Sequence, residues 1–276
     1  MSVRKAAVIV HRALWLVFVV QAVASVFVEP PYPYWAGWLP AAAGGALGLT
    51  LALTRHRELG ALPEREPVEV LPPVTGRWSA LNSPADRTPS HGTHQFGQTY
   101  AIDITAESDE QPRPRPVLFW PLARRSADFP AFGAPLHAVA DATVVHAEDG
   151  RRDHLSRNSL PAVLYLLVVE SAVRAMLGAR RVTGNHLVLD LGDGTYAMYA
   201  HLQRNSLAVR PGDRVAAGQL LARCGNSGNS SEPHVHFQLM DGPDLDTARG
   251  VPFTWRGVGV PRNRETFEAE PAVYSA

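Results

Sequence analysis

The chain predicts a mainly β architecture: a compact antiparallel β-sandwich or barrel-like domain with one inserted helix, preceded by an N-terminal transmembrane helical hairpin. Three observations carry this expectation. Residues 1–58 hold two long, uncharged apolar runs. Between about residues 76 and 255, short alternating runs are bounded by Gly, Pro, Asp and Asn, as strands with one buried face require. One apolar stretch, residues 160–177, breaks that rhythm and has the composition of a helix.

In chain order, the first apolar run predicts a span over about residues 6–28 and the second a span over about 35–54, each long enough to cross a bilayer. Glu29 to Tyr34, rich in proline and tyrosine, suits an interfacial connector. Arg4, Lys5 and Arg12 precede the uncharged part of the first span, Ala13–Val28, Arg55 and Arg57 follow the second span, and the connector has no positive charge. The positive-inside rule therefore places both ends in the cytoplasm. A competing pattern is present: Ala22-Val23-Ala24 ahead of Ser25, behind a basic start and an apolar run, resembles a signal-peptide cleavage site, and cleavage there would leave one span. Residues 59–75, with Pro63, Pro67, Pro72 and Pro73, read as a linker.

Within the domain expected over 76–255, Tyr100–Ile104, Ala142–His146, His186–Asp190 and Thr195–Tyr199 each alternate as strands, and Gly192-Asp193-Gly194 supplies a hairpin turn between the last two. Residues 160–177 begin with Ser159 and Pro161, which suit a helix N-terminus, and stop at Gly178. Glu170 and Arg174 interrupt the stretch, so a helix packed on the sheet or lying on a membrane surface is expected rather than a third span. Residues 256–276 read as a tail.

Composition removes several function classes. With 26 basic and 26 acidic residues the formal charge is balanced, which gives no general argument for nucleic acid. Cys224 is the single cysteine, so neither an internal disulfide nor a thiolate metal cluster is possible. Nothing in the composition speaks to oligomeric state.

The chemistry collects around Glu232-Pro-His-Val-His-Phe-Gln238. On a strand, side chains alternate faces, so His234 and His236 point one way while Val235 and Phe237 enter a core. Two imidazoles in one small volume suit a metal with an adjacent proton-handling group. Upstream lie Tyr199-Ala-His201-Leu202, the hairpin Val209–Leu221, and Cys224-Gly-Asn-Ser-Gly-Asn-Ser-Ser-Glu-Pro-His234, with Asn226-Ser227-Gly228 read as the tight turn that delivers the strand.

This order and spacing, Y-x-H-L followed by S-G-x-S-x-x-P-H-x-H, resembles the lysostaphin-type zinc metallopeptidases, a peptidoglycan endopeptidase family with a compact antiparallel β-fold. The resemblance covers about residues 76–253. It implies one Zn2+, with His236 and Asp103 among its ligands, His234 as general base or transition-state stabiliser beside it, and His201 as the second catalytic histidine. It further implies hydrolysis of peptide bonds in cell-wall cross-links, and hence an active site outside the cytoplasm, at odds with the charge pattern of the hairpin. Where the family has a histidine four residues before the aspartate, this chain has Thr99. Candidates for the vacant ligand are His94, His91 and Gln98, all in the loop entering the strand, and His94 is favoured as the nearer imidazole. His137, His146 and His186 read as incidental strand residues, and His56 and His154 as exposed loop residues.

Rival readings remain beside this one. A degenerate member of the same fold would bind wall peptide or a partner hydrolase without cutting, and Thr99 is its evidence. A β-domain that serves only as a membrane-anchored scaffold is another. A biotinyl or lipoyl carrier, suggested by Val209–Leu221, lacks the required lysine, because Lys5 is the only one. A serine esterase lacks the G-x-S-x-G elbow.

Overall fold

The computed structural model describes residues 3–60 and 65–270. Residues 61–64 of the expected linker and 271–276 of the expected tail lie outside the described residues. The chain forms two units.

In the first unit, helices Val3–Ala24 and Leu39–Gly60 are joined through a short 3-10 turn, Tyr34–Trp38. The first helix stops at Ala24, before the expected Val28, and turn residues follow. Ala6–Ala24 and Tyr34–Arg55 are each long and apolar enough to cross a membrane. The helices approach closely through glycine. A Cβ at Gly48 would lie 2.7 Å from His11 Cε1, and His11 Nδ1 lies 2.9 Å from the Gly44 carbonyl.

The second unit is built on a nine-stranded sheet. Its strands run in the order Thr266–Ala269, Gly76–Leu81, Ile102–Ala106, Val235–Met240, Tyr196–Ala200, His186–Asp190, Ala142–Glu148 and Arg214–Val215, with Gly250–Val251 pairing separately on Val235–Met240. Every pairing in it is antiparallel. Two smaller pairs complete the unit, Val68–Val70 parallel to Phe253–Trp255 and Pro135–His137 antiparallel to Leu220–Arg223. The mainly antiparallel β-domain with an inserted helix is thus what forms. It is wider than the span of 76–255, because an edge strand comes from the expected tail and another strand from the expected linker. Both are short and lack a legible alternation: Val68-Glu-Val70 sits among prolines, and only Phe267 of the edge strand is bulky and apolar.

Period-two alternation sorts the central strands onto two faces. Ile102, Ile104, Leu187, Leu189, Tyr199, Val235, Phe237 and Leu239 enter the main core together with Leu136 and Leu221 of the small sheet. Phe237 anchors an aromatic group there, with ring centroids 5.4 Å from Tyr199 and 5.2 Å from Phe253. The intervening residues face the other way, where Val188, Met198, Ala200 and Met240 form a smaller cluster. Asp103, His236 and Gln238 belong to this second face.

Leu160–Leu177 forms the inserted helix, as a turn of α-helix, a π-turn over Leu166–Glu170, and α-helix again over Ser171–Leu177. Ser159 caps it, accepting from the Ala162 N–H, and proline follows at the start. It too meets the length and composition of a span.

His186, expected to be incidental, is buried, and burial pushes its pKa down from 6.5 to about 4. The folded state keeps the ring neutral, whereas the unfolded chain takes up a proton near pH 6.5. This term is therefore absent above pH 6.5 and grows as pH falls toward 4, reaching on the order of 3 kcal/mol of lost stability. Apparent Tm measured between pH 7 and 4 should fall more steeply for the native chain than for His186→Phe; parallel slopes would contradict the assignment.

Candidate metal centre

Register builds the site. Asp103 and His236 are direct partners across two antiparallel strands, and Ala200 opposes His236 on its other side. Directly opposed residues on one face lie within about 5.5 Å at Cβ, so the carboxylate and the imidazole meet, and alanine leaves room beside them. His236 Nδ1 lies 2.9 Å from Asp103 Oδ1, and its Nε2 lies 2.9 Å from Gln238 Oε1. Gln238 in turn donates to the Phe96 carbonyl at 2.7 Å. The orientation of His236 is thereby fixed from behind, leaving Nδ1 toward the carboxylate.

The other Asp103 oxygen, Oδ2, receives the Asn82 amide at 2.8 Å and lies 3.0 Å from His91 Nε2. His234 Nε2 stands 3.6 Å from Oδ1. Burial alone would raise the Asp103 pKa. Electrostatic interaction with the adjacent imidazoles of His91 and His234, with hydrogen bonds from His236 and His91, more than offsets that and holds the carboxyl well below the ordinary range. Burial pulls His236 down, but its bonds to Asp103 and Gln238 prevail and its pKa is raised.

His201 reaches this face by breaking the alternation. Following Tyr199 by two residues, it would point into the core on a regular strand; instead it adopts φ 62°, in the left-handed region. Its ring then sits 4.8 Å from His234 and 5.8 Å from His236, and Nδ1 lies 2.9 Å from the Ser227 carbonyl. Burial and the neighbouring His234 and His236 push its pKa well down. His234 is oriented in the same manner, with Nδ1 2.8 Å from the Glu232 carbonyl and 3.1 Å from Ser230 Oγ. Each ring donates from Nδ1 to the backbone and turns Nε2 away from that bond.

The loop holding both acceptors is itself anchored. Asn226 donates from Nδ2 to the His154 carbonyl at 3.0 Å and to Ser156 Oγ at 3.2 Å, and Ser227 Oγ donates to the Leu202 carbonyl at 2.8 Å. Gly228 takes φ 72°, and a Cβ there would lie 2.5 Å from the Gly184 nitrogen, which confines the position to glycine. His154, expected to be an exposed loop residue, is half-buried, with Nε2 2.8 Å from the Gly228 carbonyl.

His91, Asp103 and His236 place one ligand atom each within 4.8 Å of one another, and two imidazoles with one carboxylate are a donor set that suits zinc. His94, the imidazole favoured from sequence, is not in this group. Its Nδ1 lies 3.1 Å from Thr99 Oγ1. The reason lies in the backbone: Phe96 and Gly97 take φ of 57° and 75°, which turns the chain between His94 and Asp103, whereas His91 is set by Ser90 Oγ, 3.0 Å from its Nδ1. Gln98 contributes its backbone carbonyl to Ser90 rather than a side chain to the group. The sequence assigns no role to Asn82, nor to Glu232 and Gln238 at the two ends of the His234–His236 stretch. Gln238 alone had a readable signal there, two residues past His236 and so on its face.

A second group, His146, Glu148 and His186, also gathers ligand-type atoms. Glu148 is already matched by charge: Arg151 and Arg180 each lie 2.5 Å from one of its oxygens. Two guanidinium ions at one carboxylate oppose a third cation, and this group is an ion-pair cluster.

Residues 168–247 match the model of Peptidase family M23, a segment that contains His201, His234 and His236 but neither Asp103 nor His91. Over 58 residues the chain is 43% identical to the glycyl-glycine endopeptidase ALE-1 of Staphylococcus capitis, covering 21% of this chain and 16% of that protein. Over 93 residues it is 28% identical to the peptidoglycan DD-endopeptidase ShyA of Vibrio cholerae, covering 34% and 20%. The chain thus matches a fifth or less of the length of these relatives. Among solved structures, the catalytic domain of lysostaphin from Staphylococcus simulans aligns at 19% identity over 70% of this chain and 92% of that one, with a TM-score of 0.32. Residues 168–247 are thus similar to Peptidase family M23, and the likeness to the named endopeptidases extends over short segments only.

Gly97 lets the loop close on Gln238. A Cβ there would lie 2.8 Å from Gln238 Nε2 and 3.0 Å from Met240, at a φ that L residues disfavour. Gly97→Ala should cost about 1–2 kcal/mol or more, read as a lowered apparent Tm; an unchanged Tm would show that the loop adapts freely.

Proposed function

We propose that this chain is a membrane-anchored, zinc-dependent endopeptidase that hydrolyses peptide bonds in peptidoglycan, with His91, Asp103 and His236 as metal ligands and His201 and His234 as the proton-handling pair. The observation that carries this reading is the buried carboxylate of Asp103 facing His91, His234 and His236. The relatives named as endopeptidases support the reaction class.

When bound, zinc supplies Lewis-acid polarisation of a carbonyl and a nucleophilic water at neutral pH. The protein's share is positional. Gln238 fixes His236, and Asn82 fixes Asp103, so the ligands stand ready without reorganisation. His201, held neutral by burial, has a ring nitrogen free of the Ser227 bond with which to accept a proton. His234, beside Asp103 and anchored on Glu232, is placed to donate a hydrogen bond to a developing oxyanion. A peptidoglycan substrate requires the domain to lie outside the cytoplasm, against the weak basic bias of the hairpin. Protease accessibility of a C-terminal tag in intact cells should show it exposed, and a protected tag would exclude cell-wall hydrolysis.

A catalytically degenerate, peptide-binding member of the fold is the second reading, favoured by Thr99 at the position where the resemblance calls for histidine. Metal content separates the two. The purified chain should hold about one zinc, His91→Ala should reduce its zinc affinity by 10-fold or more, and His94→Ala should leave it near the native value. His201→Ala should retain zinc and lose peptide hydrolysis by about 100-fold or more. Native protein without zinc above background would overturn the enzyme reading, and loss of zinc in His94→Ala instead of His91→Ala would reassign the ligand.

A further inference from the structure

The inserted helix is inside out. In a water-facing helix the apolar stripe packs inward and the charges face solvent. Here Glu170, Ser171 and Arg174 turn toward the domain. Glu170 pairs with Arg157 at 2.7 Å and with Arg174 at 2.6 Å, and Ser171 donates to Asn229 Oδ1 at 2.9 Å. Leu166 is the one large apolar side chain of the segment that is buried, whereas Leu164, Leu167 and Val168 are exposed, the last at 69%. The π-turn at Leu166–Glu170 shifts the phase that makes this possible.

The helix is not alone on this side. Val117 bridges to Ser159, Arg124 to Ser156, and Ser159 Oγ donates to the Leu122 carbonyl at 2.8 Å. These bonds fix the loop between them to the start of the helix, and that loop exposes Phe119 at 64% and Trp120 at 79%. Arginines bracket it, Arg115 before and Arg124 and Arg125 after, whereas Arg113 is paired with Glu232. Apolar and aromatic side chains with a basic border are the composition of a surface that enters the headgroup region of an anionic bilayer.

We propose that the helix Leu160–Leu177 and the loop around Phe119-Trp120 form one docking face for an anionic lipid bilayer, lying in its surface rather than crossing it. The polar side of the helix is committed to Arg157 and Asn229 of the domain, which a crossing helix would have to abandon. The occupant follows from the tether. Only residues 61–67 separate Leu39–Gly60 from the strand Val68–Val70, and at about 3.6 Å per extended residue they reach no more than ~25 Å. The inference rests on the reading of the N-terminal helices as spans. Asn229 lies between Ser227 and Glu232, the acceptors of His201 and His234. The docked helix therefore sets the orientation of the candidate site toward the membrane.

The test uses the full chain with Cys224→Ala, labelled with an environment-sensitive fluorophore at Phe119→Cys, Val168→Cys or, as an exposed control, Arg210→Cys. Proteins are reconstituted in vesicles containing phosphatidylglycerol, and floated to establish insertion. Nitroxides at shallow depth on the lipid chains should quench labels at 119 and 168 at least about 2-fold more than at 210, aqueous iodide should do the reverse, and phosphatidylcholine vesicles should weaken the contrast. Protein that fails to float would defeat the reading of the N-terminal helices and the docking with it. Inserted protein whose labels at 119 and 168 respond to iodide like 210 would overturn docking alone. Labels shielded from both quenchers would assign the face to a protein partner or a second copy instead, and quenching by nitroxides at the bilayer centre would make the helix a span. The same contrast should persist in Asp103→Ala, so that docking is read independently of hydrolysis.

Discussion

The pairing of Asp103 with His236 across two neighbouring strands is the constraint on which the rest of the site depends. A carboxylate buried beside a core of Ile102, Ile104 and Phe237 survives only with its lone pairs matched. Asn82, His91 and His236 match them. Because side chains on a strand alternate strictly, a one-residue slip in this register would carry Asp103 into the aromatic core and Ile102 or Ile104 into the polar face. The apolar core thus specifies the polar site: Val235 and Phe237 must be buried, so His236 and Gln238 must face the other way.

What alternation cannot supply, irregular backbone does. His201 lies on the wrong parity for the site and reaches it through a left-handed conformation, held by its N–H bonding to the Thr183 carbonyl and its carbonyl accepting from Gly225. Phe96 and Gly97 turn the preceding loop so that the Phe96 carbonyl caps Gln238. Such conformations cost of order 1–3 kcal/mol when nothing compensates them. Here each is over-determined by buried hydrogen bonds, and each places a side chain or carbonyl against the candidate site.

Legibility in the sequence follows the same division. The alternating strands, the Gly192-Asp193-Gly194 turn, and the shared face of His236 and Gln238 are local consequences of period two and could be read directly. The edge strand Thr266–Ala269 could not, since a short run takes its identity from pairing with Gly76–Leu81. That His91, rather than His94, comes within reach of Asp103 is also not legible in the sequence. Nearness along the chain favours His94, whereas the outcome depends on the φ of Phe96 and Gly97, and Phe96 carries no sequence signal for a left-handed conformation. The burial of His154 is illegible for a related reason: it comes from the loop at Gly228, distant in sequence, and from no pattern of its own.

The inserted helix shows a further limit of pattern reading, and a physical one. Composition identifies Leu160–Leu177 as helical, and Ser159 and Gly178 bound it, but hydrophobic periodicity assumes that the apolar side faces protein. That assumption fails where a second apolar phase is available. With Glu170 shared between Arg157 and Arg174 against the domain, the polar side is paired internally. Water then gains little from this helix, while a bilayer surface would take up its leucines and valines. The sign of the moment alone cannot distinguish the two cases. The partners of the charges can, and in this chain they lie inside.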